Sequence, residues 1–319
     1  MMSISTQSRR QAAVADGVLV VVKEAGWTSH DVVAKLRGIL GGVKVGHAGT
    51  LDPAATGVLP VLVGRATRVA EYLVEWDKEY RAVLRLGATT DTQDATGRVL
   101  TQVDSIQVNE GALYGAVARF RGPQQQLPPM YSAVKVDGRP LYKEARAGRT
   151  VERRKRAIVI HALEILAVDG RDVTLRVVCS KGTYIRTLCA DIGQALGIGG
   201  YLYALERRRV GTLSIDQALT VDQIAALSAI GTLQDRLIPM DRVLERLPVL
   251  VVDGKQARLV LHGGAVVPAG VGQLPCVTAP VSVRLKDAVG RLLAIGTYDG
   301  EAAGPIRIDK VLAEIGSRD

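Results

Sequence analysis

Segments that read as strands and helices follow one another up to about residue 213. After about Leu247 they give way to short apolar stretches broken by Gly and Pro. Gly17–Val22 reads as a buried strand. Thr28-Ser29-His30-Asp31 has the form of a capping box that opens a helix to about Leu40, stopped by Gly41-Gly42. Val58–Val63 reads as a strand and Ala66–Val74 as a helix. Tyr80–Leu86 alternates in polarity and is rich in β-type residues, which predicts a half-buried strand. Asn109–Phe120 reads as a helix, Ala157–Ala167 and Val173–Cys179 as strands, and Thr183–Leu196 as a helix ended by Gly197. A further strand lies within Tyr201–Leu213. This order predicts an α+β fold, a mixed sheet flanked by helices. The later stretches Val249–Val252, Ala265–Val267, Val281–Leu285 and Leu292–Ile295 predict a small β-rich unit over 247–319. Residues 1–16 are expected to be a disordered leader. Residues 121–155 differ in texture, with Gln124-Gln125-Gln126, Pro128-Pro129 and the Asp137-Gly138 turn, and lead into the basic run Arg149–Arg156.

A chain of 319 residues can form two domains with a substantial core. Hydrophobic residues make up 47% of it but include one Phe, so that core must be built from Val, Leu, Ile and Ala. Lys and Arg exceed Asp and Glu by 41 − 32 = 9, a basic excess that fits a polyanionic partner. Cys179, Cys189 and Cys276 form no C-x-x-C pair, and His30, His47, His161 and His262 are scattered. That pattern argues for a reducing compartment and against a structural zinc. Residues 1–16 lack the apolar segment of a signal peptide, and no apolar run approaches the roughly 20 residues of a membrane helix. A cytoplasmic location with no membrane partner is the expectation.

The chemistry concentrates in Gly46-His47-Ala48-Gly49-Thr50-Leu51-Asp52-Pro53. Asp52 is the one carboxylate of a loop bounded by Gly and Pro, which sets it apart from the paired carboxylates of most acid–base sites. The glycines permit unusual backbone conformations and close approach to a ligand, and Pro53 fixes the backbone just after the acid. The loop is not a phosphate-binding P-loop. Gly41 and Gly46 have the right separation, but His47-Ala48 stands where Lys-Ser/Thr is required. No G-x-G-x-x-G follows the first strand, and the Asp91/Asp94 spacing is not that of a calcium loop.

Gly46–Pro60 resembles the hallmark G-H-x-G-x-L-D-P-x-A-T-G-x-L-P of the bacterial TruB-type tRNA pseudouridine-55 synthases. Lys78-Glu79-Tyr80, Thr90–Ala95, Pro128–Lys135 and Gly182–Leu188 follow in that family's order. The likeness spans about Gly17 to Arg209. It departs near the N-terminus, where Val22-Lys23-Glu24-Ala25-Gly26-Trp27-Thr28-Ser29 lacks the Asp and Pro of the family's D-K-P-x-G-x-T-S. The resemblance implies a pseudouridine synthase fold, with a mixed, largely antiparallel central sheet flanked by helices. It places the catalytic domain over 17–246 with an RNA-gripping insertion at 121–155, followed by a PUA-like RNA-binding domain over 247–319.

Carried over position by position, the resemblance makes Asp52 the essential carboxylate, Arg186 its cationic partner and Tyr80 the ring that stacks on the flipped uracil. Tyr184 and Leu205 would line the base pocket and Asp94 would join the active-site network. His47 would contact RNA near the flipped base, and Lys23 would position the first strand or the RNA. Asp52 could attack C1′, attack C6 or abstract a ribose proton. The implied reaction needs no metal and no cofactor. The implied partner is the T arm of tRNA, bound by a monomer. Two other readings remain open, a guide-RNA-dependent relative and a non-catalytic RNA-binding or RNA-folding factor.

Overall fold

The structure is a computed structural model that describes residues 15–132, 135–136, 138–149, 151–268, 279–300 and 304–314. The chain opens with β1 (Gly17–Lys23), α1 (Ser29–Ile39), β2 (Val45–His47), β3 (Thr56–Val63), α2 (Ala70–Val74) and β4 (Lys78–Leu86). A hairpin of β5 (Ala88–Thr90) and β6 (Val99–Gln102) precedes α3 (Glu110–Ala118) and β7 (Gly122–Gln126). Then come β8 (Lys135–Val136), β9 (Arg139–Pro140), α4 (Leu141–Arg146), β10 (Arg156–Asp169), β11 (Asp172–Cys179), α5 (Ile185–Ala195), β12 (Gly200–Val210) and β13 (Leu213–Ser214). The remainder is α6 (Val221–Ile230), α7 (Met240–Val243), β14 (Val249–Val251), α8 (Gly254–Leu261), β15 (Val281–Lys286), β16 (Leu292–Tyr298) and β17 (Arg307–Val311).

The central sheet has the order β1-β3-β12-β4-β11-β10-β7, with β2 and β13 paired to β3 and β12. Its one parallel contact joins β12 to β3 at Glu206–Thr56 and Arg207–Gly57; the other pairings are antiparallel. This is the mixed, largely antiparallel sheet expected of an α+β fold. Its strands fall into two kinds, as their sequences require. β1 and β3 are near-continuous Val and Leu and are buried on both faces. One face packs on α1 and α6 through Leu19, Leu59, Val61, Leu36 and Ile224, and the other on Leu73, Val210 and Val243. β4 and β11 alternate buried and open positions, so one face carries Tyr80, Ala82, Leu84, Leu175 and Val177 into a core with α3 and α5. The other holds the water-facing ion pairs of Arg176 with Glu79 and Glu164. α5 comes unusually close to β12, since a Cβ on Gly193 would lie 2.2 Å from the Gly200 nitrogen.

Four features differ from the sequence reading. Gly122–Gln126 is a strand of the central sheet, paired to β10 over its whole length. The segment expected as an insertion over 121–155 therefore begins as part of the central sheet, and its Ala133-Val134 lies outside the described residues. Polar Gln is tolerated there because β7 is an edge strand, open on one side to water. The helix at Ala66–Val74 begins as a tighter 3-10 turn over Gly64–Val69. Asp16 is tied down by Arg65, whose Nε approaches its Oδ2 at 2.5 Å, and residues 1–14 of the expected leader lie outside the described residues. Ala265–Val267 forms only a single bridge, Val266 to Ile306, where Pro268 removes the next backbone donor.

The C-terminal sheet has the order β14-β15-β16-β17 and its own core of Leu250, Val260, Val283, Leu285 and Leu293. It is also joined to the preceding part of the chain. Ile295 and Leu312 belong to the same apolar cluster as Val18, Leu62 and Val243. Arg284 and Lys286 pair with Asp241 at 2.8 and 2.5 Å, and Lys310 pairs with Glu71 at 2.7 Å. Among the described residues no helix is long and apolar enough to cross a membrane.

Candidate active site

Asp52 sits in a loop held by backbone contacts at both ends. Ala48 N donates to Pro60 O at 3.0 Å, Ala55 N to Asp52 O at 3.0 Å, and Gly26 N to Pro53 O at 2.9 Å. Ser29, the first residue of α1, is buried, and its hydroxyl accepts from Leu51 N at 3.0 Å. The capping box predicted at Thr28 is present, with Asp31 reciprocating. The start of α1 thus braces the residue just before the carboxylate.

Arg186 lies in the first turn of α5 and only 6% of its surface is exposed. Its Nε is 3.0 Å from Asp52 Oδ2 and its Nη2 3.4 Å from Asp52 Oδ1. Its Nη1 is 3.5 Å from Asp94 Oδ2, and Nη2 also donates to Tyr131 O at 2.8 Å. One guanidinium therefore bridges two carboxylates from separate loops. Its planar fork suits that geometry in a way a lysine ammonium would not.

The Asp94 loop is equally well fixed. Asp94 Oδ1 accepts from Thr92 Oγ1, Thr96 N and Thr96 Oγ1 at 2.7, 3.0 and 2.6 Å. Gln93 has a φ of 63°, a left-handed conformation seldom taken by residues other than Gly. Its side chain accepts from Thr187 Oγ1 at 3.0 Å and its carbonyl from Leu202 N at 3.0 Å. Those contacts hold the turn against α5 and β12 and aim Asp94 at Arg186.

Surrounding protein raises the Asp52 pKa above its ordinary value. Arg186 is the first counterweight, Asp94 adds to the rise, and Lys23 opposes it. Lys23 is wholly buried and donates to Glu24 O, Trp27 O and Pro53 O at 2.9, 2.7 and 3.1 Å. Burial lowers its pKa to about 8, with the Asp52 charge acting the other way. Its donors are spent on the turn after β1 and on Pro53, which places it as a brace between that turn and the Asp52 loop. Tyr80, on β4, is 9% exposed, and burial pushes its hydroxyl up to about 12.

Leu205 is half-buried and packs on the cluster that contains Tyr80 and Leu51. Tyr184 is the residue just before α5. Its amide donates to Gln126 Oε1 at 2.8 Å and its carbonyl accepts from Gln126 Nε2 at 3.0 Å. His47 stands at the loop's other end, edge-on to His30 with ring centroids 5.5 Å apart. Its Nδ1 is buried without a partner among the described residues. Burial, then His30, lowers its pKa, so the imidazole is neutral at pH 7.

The site thus brings Asp52, Arg186 and Asp94 into direct contact, with Tyr80, Leu205 and Lys23 around them and Tyr184 and His47 at its margins. Sequence reasoning passed over Gln126, Gln93 and Arg207. Gln126 stands in the polar run Gln124-Gln125-Gln126, and Arg207 in the cluster Arg207-Arg208-Arg209. β12 offers no simple alternation that would have singled out Arg207, since its buried Leu202, Arg207 and Val210 fall out of step across register shifts at Leu202/Ala204 and Arg207/Arg209. Among the described residues no group of three or more His, Cys, Asp and Glu could hold a metal ion.

Comparison with known proteins finds relatives over most of the chain. Residues 37–185 match a sequence model described as TruB family pseudouridylate synthase (N terminal domain). Residues 186–245 match one described as tRNA pseudouridylate synthase B C-terminal domain. The chain is 42% identical over 313 residues to a tRNA pseudouridine synthase B of Aromatoleum aromaticum, covering 98% of each chain. It is 48% identical over 253 residues to that of Ralstonia pickettii, covering 77% of this chain and 78% of the relative. Among solved structures it is similar to one titled Crystal Structure of a Cbf5-Nop10-Gar1 Complex. There the TM-score is 0.74 at 29% identity, over 94% of this chain and 86% of that one. It is also similar to one titled Structure of H/ACA RNP bound to a substrate RNA containing 2'-deoxyuridine, with a TM-score of 0.72 at 28% identity over 93% and 85%.

Proposed function

The chain belongs to the TruB family of tRNA pseudouridine synthases and is an isomerase, and from that premise we propose that it converts the T-loop uridine of tRNA, conventionally position 55, to pseudouridine with Asp52 as the essential carboxylate. The observation that carries this reading is the Arg186 bridge between Asp52 and Asp94 beside Tyr80. Isomerisation breaks the N1–C1′ bond, turns the uracil and joins C5 to C1′. The C5 proton is lost and N1 gains one, so the atoms balance without a redox partner. The base must leave its stack before any side chain can reach it.

Tyr80 offers a ring to hold the uracil, and base–aromatic stacking contributes about 1–3 kcal/mol. Asp52, kept anionic by Arg186, is poised either to attack C1′ or C6 or to take a ribose proton. In this reading a single copy of the chain grips the T arm of tRNA, an RNA loop of distinct shape with unpaired bases. Residues 247–319 serve as an RNA-holding unit resembling a PUA domain.

The test is to incubate the purified protein with unmodified tRNA transcript and map pseudouridine. A guide-RNA-dependent reading draws on the solved structures above, and turnover of tRNA with no second RNA would dismiss it. The same turnover would dismiss a purely RNA-folding role. Activity on a minimal T-arm stem-loop is expected to survive dialysis against a chelator. Loss restored by one specific metal would overturn the metal-free chemistry.

The basic run is also testable, and its members are not equivalent. Arg149 pairs with Glu144 at 2.6 Å and Arg153 donates to Pro128 O at 2.8 Å, whereas Arg154 and Arg156 are exposed. Neutralising Arg154 and Arg156 together is expected to weaken tRNA binding. Each lost phosphate contact should flatten the slope of log K against log salt by about 0.7–0.9. An unchanged slope would return the run to solvated surface.

A further inference from the structure

Among the described residues Arg207 is the largest fully buried side chain, 1% exposed, and makes no ion pair with a carboxylate. A guanidinium in that state is costly unless its donors are satisfied. Here they are satisfied by the backbone of the catalytic loop and of the strand that follows it. Nη2 donates to Gly49 O at 2.8 Å, Nη1 to Thr50 O at 3.4 Å, and Nε to Val58 O at 2.8 Å. The guanidinium also acts on the Tyr80 hydroxyl and offsets part of the effect of burial on that group.

The surrounding backbone is shaped around this arginine. Gly57 has a φ of 103°, and a Cβ there would lie 2.2 Å from Arg207 O. Gly49 has a φ of 92°, and a Cβ there would meet Nη1 at 3.4 Å. The left-handed turn at Gly49 directs its carbonyl at the guanidinium. Lys23 does the same for Pro53 O on the far side of Asp52.

We propose that Arg207 is a positioning residue of the reaction, locking the carbonyls of Gly49 and Thr50 and the hydroxyl of Tyr80 into one register. The carboxylate of Asp52 and the ring of Tyr80 then meet the uridine as a single preformed surface. The inference rests on the reading of the site given above. Arg207 touches neither the reacting atoms nor the RNA in this scheme; it acts through the loop and through Tyr80.

The test uses the full chain with Arg207→Met, which keeps the bulk and removes the charge and donors, and Arg207→Lys, which keeps the charge and loses the fork. Thermal unfolding, tRNA affinity and single-turnover rate at saturating enzyme are measured for each. In a folded Met variant the rate is expected to fall about 100-fold, as for an active group displaced by an ångström, with tRNA affinity within about threefold. Lys should restore part of it. On a Tyr80→Phe background the loss caused by Arg207→Met should shrink at least tenfold, because the hydroxyl that Arg207 orients is already gone.

A folded variant whose rate stays near wild type, or whose rate loss is the same on both backgrounds, overturns the proposal. So does failure of both variants to fold, which makes the arginine a structural core residue only. Wild-type turnover of tRNA transcript is the control, and its absence would count against the proposed function and not against Arg207.

Discussion

Asp52→Asn is expected to abolish pseudouridine formation while tRNA affinity changes by less than about tenfold, or about 1.4 kcal/mol. The substitution keeps size and shape, and the loop does not depend on the carboxylate. Its fixing contacts run through Ala48 N, Leu51 N, Ala55 N and Pro53 O. Removing the charge relieves the repulsion with Asp94 and leaves Arg186 with one carboxylate and two backbone carbonyls. The variant should therefore fold normally and bind RNA, and what it lacks is the anion that the proposed reaction uses. Single-turnover formation at a near-normal rate would remove Asp52 from the chemistry.

Arg186→Met should be nearly as damaging and should fail in a different way. It strips the cation from two carboxylates at once and leaves the carbonyls of Tyr131 and Thr92 without their donor. Breaking a fully buried pair costs about 3–5 kcal/mol. The cost here should be smaller, because the Asp52 side chain is 46% exposed and solvent screens it.

The effect on pH dependence has a definite sign. In the wild type the Asp52 pKa already stands above its ordinary value, so the folded state holds that proton more tightly than the unfolded chain. Stability from this group is therefore greatest at low pH, and it declines as pH rises from the ordinary carboxylate range through the raised folded value. Activity is expected to run the opposite way, because the proposed reaction needs the anion. Arg186→Met removes the charge that most lowers the Asp52 pKa, so the acid limb of the rate profile should move to higher pH. An acid limb that stays in place, measured by single turnover across pH, would show that Arg186 does not govern Asp52.

Much of the site was legible in the chain. The spacing within Gly46–Pro53 isolates Asp52, and the Thr28 capping box places the start of α1. The alternation of Tyr80–Leu86 puts Tyr80 on the inner face of its strand, with every second residue buried. What escaped has a common physical cause. Gln126, Gln93 and Arg207 are polar side chains whose work is to hydrogen-bond backbone or neighbours distant in sequence. Gln126 serves Tyr184, 58 residues away, and Arg207 serves Gly49, 158 residues away. Polarity alone assigns such residues to the surface, and only the tertiary pairing shows that they are inside. The helices between residues 215 and 245 escaped for a different reason. α6 is bounded by a Thr220–Gln223 capping box and by Gly231 in a left-handed turn, yet its apolar residues do not line up on one face. α8 was missed although Asp253 and Gln256 spell its cap.

The contact of Leu312 and Ile295 with Val18 in one apolar cluster bears on how the protein is made. A ribosome delivers the first strand 312 − 18 = 294 residues before its partner in that core. Domains fold during synthesis at about 5–20 residues per second, so a nascent chain complete to residue 246 waits on the order of three to thirteen seconds for the remaining 312 − 246 = 66 residues that finish this cluster. Until β17 arrives, the unfinished cluster is open to chaperones or to other nascent chains. The C-terminal strands therefore act as a closing seal on the catalytic unit, and loss of those strands would be felt first as poor yield of folded protein.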